Sequence, residues 1–168
     1  QEIHLPSIDK FIHKLKQKLN LVKIDYVKYL GLHSFYLFFD KKNNLKIDFN
    51  YYPYPRIEKG ITYKNIAVDS VYDIAVNKAH TITMKARARD FIDIYFIIKE
   101  KNYDFKNLLL RAKAKFDWHI DAIQLGRQLI KAVEVKDYPR MIKEIDHQEW
   151  RNFFLNEAKK LKKDIFKP

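Results

Sequence analysis

The sequence predicts an α+β fold: an α/β part over residues 1–69 with a small, mainly antiparallel or mixed sheet, then a helical half over residues 70–168. Three observations carry this. Between Leu21 and Tyr54, Val, Ile, Phe and Tyr are dense and separated by short turn signals, as in β-strands. Beyond Asp104 the apolar spacing is helical throughout. With 3 glycines, 5 prolines and no Ser/Gly/Pro-rich tract, no linker announces a boundary, and 168 residues suit one domain or a small α/β part with a helical extension.

The first helix is predicted to open at Leu5-Pro6-Ser7, with Ser7 as N-cap and Asp9 in the first turn. Ile8, Phe11, Ile12, Leu15 and Leu19 make its apolar stripe, and Asn20 stops it. Three antiparallel strands follow at about Val22–Leu30, Ser34–Asp40 and Leu45–Tyr52, the last two joined by a turn at 41–44. In the third, Leu45, Ile47, Phe49 and Tyr51 face one way and Lys46, Asp48, Asn50 and Tyr52 the other. Pro53 and Pro55 end it. Arg56–Val68 reads as loop with a short strand at Asn65–Val68.

Ser70 with Asp73 forms a capping box that opens the next helix. There Val71, Ile74, Ala75, Lys78 and Ile82 share one face, so Lys78 points where a core residue should point. The helix over Arg89–Lys99 has no polar side, since Phe91, Ile92 and the run Ile94–Ile98 surround it, which predicts burial on most sides. Asp90 and Asp93 therefore need partners. Lys78, Arg87 and Arg89 are at hand, and the set predicts either an internal ion network or a site for a charged ligand. After a turn at Lys101–Tyr103, helices are expected from Asp104 to about Phe116, Asp117 to about Val133, and Asp146 to about Ile165. Asp146 and Glu149 form a second capping box, Pro139 breaks the chain before it, and the KKLKKDIFK tail is expected to be solvated and frayed.

A formal net charge of +12 favours an anionic partner such as nucleic acid or nucleotide phosphate. The absence of cysteine excludes disulfides and thiolate metal sites, and no apolar run is long enough to span a membrane. A soluble, cytoplasmic protein is expected. Gly31, Gly60 and Gly126 are scattered, so no Walker or Rossmann phosphate loop exists. Neither GxSxG nor HExxH occurs, nor the Arg-x4-His run of one class of helical ribonuclease. The six histidines are isolated and read as surface or packing residues.

What remains is Asp48 on a strand, Lys78 on a helix, and Arg89-Asp90-x-x-Asp93 on the next. A strand carboxylate can hold a divalent metal or deprotonate an attacking hydroxyl, and a buried lysine can neutralise phosphate charge in the transition state. The structural alternative is that Lys78 pairs with Asp93 as core glue and Asp48 is an ordinary surface residue.

The order of elements, the "IDF" strand, "DSVYDIAVNKAHTI", "KARARDFIDIYFII" and the closing "EWRNFFLNEAKKL" together resemble the AbiEii/AbiGii-like nucleotidyltransferase toxins of abortive-infection and type IV toxin–antitoxin systems. The likeness covers essentially the whole chain, and its most specific part is the K…RDxxD segment. It implies a polymerase-β-like nucleotidyltransferase core followed by a helical C-terminal half. It also implies transfer of a nucleoside monophosphate from an NTP, assisted by Mg or Mn, with tRNA or another RNA as acceptor and a cognate antitoxin as partner. Carried onto this sequence, Asp48 corresponds to the third metal-binding carboxylate, Lys78 to the phosphate-contacting lysine, and Arg89, Asp90 and Asp93 to the RDxxD motif. Asp48, Lys78 and Asp93 are the implied catalytic residues. Lys78, Arg87, Arg89 and Asp90 are implied to bind the nucleotide phosphates.

One element of the family pattern is missing. Its Gly-Gly or Gly-Ser turn followed by Asp-x-Asp, which holds two metal ions just before a helix like Ser7–Leu19, occurs nowhere in this sequence. Two expectations stand: residues ahead of Gln1 carry the motif, or the protein is a truncated or degenerate member that binds nucleic acid or a partner through its basic surface without catalysis.

Overall fold

Pro6 decides where the first helix begins. Proline carries no backbone N–H and suits the first turn of a helix, where that group has no partner anyway. Accordingly α1 spans Leu5–Leu19 with His4 at the N-cap, not Ser7, and no acidic residue in its first turn. Ser7 is instead bonded through its hydroxyl to the His4 ring, at 2.7 Å. At the other end Asn20 takes the left-handed conformation expected of a C-cap. The computed structural model describes residues 3–142 and 144–165.

The chain forms two compact units, Gln1–Pro53 and Tyr54–Pro168. In the first, α1 is followed by β1 (Lys23–Tyr29), β2 (Leu32–Phe38) and β3 (Asn44–Phe49), an antiparallel sheet in the order β1-β2-β3. Leu30 and Gly31, both at positive φ, make the two-residue turn between β1 and β2. The Asp40 carboxylate holds the β2–β3 turn by accepting from the Lys42 and Asn43 backbone N–H groups. Ile8 and Ile12 of α1 pack with Leu21, Phe35 and Leu37 as a small core. Ile47 and Phe49 lean on it, which sends Lys46 and Asp48 to the opposite face of the sheet.

The second unit opens with a hairpin of β4 (Thr62–Tyr63) and β5 (Ile66–Ala67). Then come α2 (Val71–Met84), α3 (Ala88–Lys101), α4 (Phe105–Phe116), α5 (Ala122–Ile130) with a closing 3-10 turn, α6 (His147–Lys160) and α7 (Lys162–Ile165). Val76, Ile82, Phe91, Leu108, Trp150 and Phe154 lie at the centre of its larger core. The units part after Pro53, not at residue 69, because the intervening segment is tied to α2. The Ile57 and Glu58 N–H groups donate to the Asp73 carboxylate at 2.9 Å each, and Arg56 pairs with Asp69. Gly60 passes so close to the Val68 carbonyl that a Cβ would lie 1.8 Å from it.

Several expected details shift. The buried side of α2 runs through Asp73, Val76, Ala79 and Thr83, so Val71 and Ile74 are exposed and Lys78 stands at the margin of the core. Helix α3 does have an open side, formed by Arg89, Asp93 and Phe96. Asp117 ends α4 in a left-handed C-cap, and the next helix waits for Asp121, whose carboxylate accepts from the Ile123 and Gln124 N–H groups. Asp146 does cap α6, but Glu149 accepts from the Tyr95 hydroxyl at 2.9 Å. Part of the tail expected to be solvated lies outside the described residues.

Candidate functional site

Helices α2 and α3 assemble the charges that the sequence singled out. Ser70 caps α2 by accepting from the Asp73 N–H, which sets the helix in register. Two turns on, the Lys78 Nζ donates to Asp90 Oδ1 at 2.9 Å and to Asp93 Oδ2 at 2.6 Å. Arg87, the N-cap of α3, donates through Nε to Asp90 Oδ2 at 2.6 Å. Asp90 is thus clamped between two cations and its side chain is 1% exposed, whereas that of Asp93 is 47% exposed. The i, i+3 spacing puts both carboxylates within reach of one ammonium while leaving one of them open to solvent.

Burial works against the charge on Lys78, but the Asp93 and Asp90 carboxylates outweigh it and hold its pKa above the usual lysine value. Arg89 is exposed one residue before Asp90 and forms no ion pair among the described residues. The five side chains sum to one positive charge, with the first turn of α3 among them. That arrangement suits an anion.

Asp48 belongs to the other unit. Ser34, its partner across the β2–β3 ladder, donates to Asp48 Oδ1 at 2.6 Å, and Lys46 donates to Oδ2 at 2.8 Å. Hydrogen bonding by Lys46 and then Ser34 lowers the Asp48 pKa. Both carboxylate oxygens are therefore engaged. Among the described residues no three His, Asp or Glu side chains gather as a metal would require. A two-ion Mg or Mn centre does not fit the described residues alone.

Comparison with known proteins places the chain. The family model for the nucleotidyl transferase AbiEii toxin of type IV toxin–antitoxin systems matches residues 8–163. The chain belongs to the AbiEii family. No curated protein and no solved structure matches it. The match covers both compact units, so the Lys78 cluster and Asp48 both lie within the AbiEii region.

Sequence reasoning missed Lys115 and Asp137 in this AbiEii chain and read Asp73 only as part of a capping box. Lys115 of α4 donates to Asp73 Oδ1 at 2.8 Å, and both side chains are almost fully buried. Burial opposes the Asp73 charge, but bonds from Lys115, from the Ile57 and Glu58 N–H groups and from Ser70 lower its pKa to about 2. The signal was present: Phe105, Leu108, Ala112 and Lys115 follow helical spacing, the same cue that flagged Lys78. Asp137, in the segment before α6, accepts from the Ala88 N–H at 2.7 Å and so fixes the start of α3, directly beside Arg87 and Arg89. Nothing local to Asp137 announces a partner 49 positions away.

A cavity of about 430 Å³ is lined by apolar residues such as Leu109, Trp118 and Leu129 and by charged ones such as Asp104, Lys113 and Glu157, but not by Lys78, Arg87, Asp90 or Asp93. His80 stacks on Phe116 with ring centroids 4.1 Å apart, and burial lowers its pKa. It is a packing histidine, as expected. No helix among the described residues is long and apolar enough to cross a membrane.

Proposed function

We propose that this AbiEii-family chain is a cytoplasmic nucleotidyltransferase toxin that transfers a nucleoside monophosphate from an NTP to an RNA acceptor, with tRNA the first candidate and a cognate antitoxin as its regulator. One observation carries the reading: Lys78 is pinned by Asp90 and Asp93 at the solvent margin of α2 and α3, beside Arg87 and Arg89. An ammonium has three donors and two are engaged, so a third is left to meet a phosphate oxygen.

In this reaction the acceptor oxygen bonds to the α-phosphorus as the bond to the bridging oxygen breaks and pyrophosphate leaves. Lys78 and Arg89 offset charge on the phosphates, Arg87 and Asp90 hold Lys78 in place, and the open carboxylate of Asp93 receives the hydroxyl proton. Dependence on Mg or Mn, with Asp48 as one ligand, is part of the proposal. The natural full-length protein, incubated with α-labelled NTPs, Mg and total RNA, should label RNA with at least one nucleotide. EDTA should stop the reaction. Absence of label in RNA with all four nucleotides defeats the proposal.

A second reading has its own support. Both Asp48 oxygens are engaged and the described residues gather no metal-ligating group of three. A non-catalytic member would bind nucleic acid or a partner through its basic surface. It would retard RNA in a gel without transferring label.

A further inference from the structure

The groove between α5 and α6 has a chemistry that nucleotidyl transfer does not use. It encloses about 760 Å³ and is lined by Ile123, Gly126 and Ile130 on one side and Leu155 and Ala158 on the other. Ile123 and Ile130, 67% and 48% exposed, join Leu155, Ala158 and Ile165 in one contiguous apolar lining, the feature that distinguishes this face from singly exposed apolar residues elsewhere. They stand seven positions apart, two helical turns or roughly 10 Å. Gly126 and Ala158 carry little or no side chain, so the floor between the two helices stays low.

Around this apolar floor the rim is cationic. Among the described residues Arg127, Lys131 and Lys159 line it with Glu134 as the single acid. None of the three cations is held in an ion pair among the described residues, whereas neighbouring Lys160 is taken by Glu157. Among the described residues the walls are aliphatic and carry no aromatic ring on which a nucleobase could stack, which disfavours single-stranded RNA as the occupant. A trough of low floor, flanking isoleucines and basic rim fits an amphipathic helix that presents its apolar face inward and acidic residues to either side.

We propose that this groove is a docking site for an acidic-flanked amphipathic helix of a partner protein. The inference stands on the groove alone and is independent of the transfer reaction.

The test uses the full chain and two short helical peptides, each with Leu at i, i+3 and i+7, one flanked by Glu and one by Lys, with binding read by fluorescence anisotropy. The Glu peptide should bind at least about tenfold more tightly than the Lys peptide. Arg127→Glu with Lys131→Glu should reverse that preference, and Ile130→Asp should abolish binding of both. These positions are exposed or half-exposed, and unchanged thermal unfolding confirms that the variants fold. Equal binding of the two peptides, or saturable binding of neither, overturns the proposal. So does a short RNA oligonucleotide that displaces the peptide and is itself weakened by the same variants. Self-association of the chain that is lost in Ile130→Asp would assign the groove to a second copy and overturn it as well.

Discussion

Asp90 and Asp93 sit three positions apart on one helix and share one lysine, yet they should behave as different kinds of residue. Asp90 is enclosed and held by both Lys78 and Arg87, so removing its carboxylate strips Arg87 of its partner and leaves Lys78 with Asp93 alone. Asp90→Ala should cost about 3 kcal/mol or more, read from urea unfolding. Asp93 is half exposed, and Asp93→Ala should cost less than about 1 kcal/mol in the same measurement. Asp73 gives a pH test. Its folded pKa of about 2 lies below the usual carboxylate value, so its contribution is fully present above about pH 4 and is lost as pH falls through 2. That contribution is about 2–3 kcal/mol. Urea midpoints at pH 5 to 2 should fall for the wild type, and Asp73→Asn, weaker throughout, should lose much of that slope.

At the scale of elements, legibility followed the range of the interaction. Ser70, Asn102, Asp104 and Asp146 end or begin helices through bonds to residues a few positions away, Asn20 ends α1 in the left-handed conformation, and each was visible in the sequence. The exceptions have local causes. Ser7 lost its cap to the preference of Pro6 for the first turn, and Asp117 serves the helix before it and not the one after. The lysine partner of the two aspartates was legible because buried carboxylates need a cation and Lys78, flagged by its helical spacing, was at hand. The second partner, Arg87, was legible as a neighbour. What could not be read were bonds across long loops: Asp137 to the Ala88 N–H, and the Asp73 carboxylate to Ile57 and Glu58. Those depend on how the loops return, which no periodicity encodes.

Two substitutions test the elements themselves. Leu30 is 86% exposed and takes the left-handed conformation in a turn that favours Asn-Gly. Leu30→Asn should stabilise by about 0.5–1 kcal/mol, measured by thermal unfolding. Gly126 lies inside α5, and a Cβ there would meet only Leu161 Cδ1 at an ordinary 3.8 Å. Gly126→Ala should raise stability by a similar amount, about 0.5–1 kcal/mol, through helix propensity.

For the whole molecule, an excess of 12 positive charges and two separate cores frame the function. Each unit holds one part of the constellation that the family resemblance implies: Asp48 on the sheet in one, Lys78 with the RDxxD helix in the other. Among the described residues the Lys78 cluster combines its cations with one enclosed and one open carboxylate, without a metal centre. Under the proposed function, binding to RNA should weaken steeply between low and physiological salt, because lysine and arginine side chains that neutralise phosphates release the counterions condensed on them.

Asp93 offers the most direct test of the central claim, because its exposure separates function from folding. In the natural full-length protein, label transfer from α-labelled NTP to RNA should fall by about 100-fold or more in Asp93→Asn, with the unfolding midpoint unchanged. Transfer at the wild-type rate in that variant would contradict the assignment of the Lys78–Asp90–Asp93 cluster as the site of reaction.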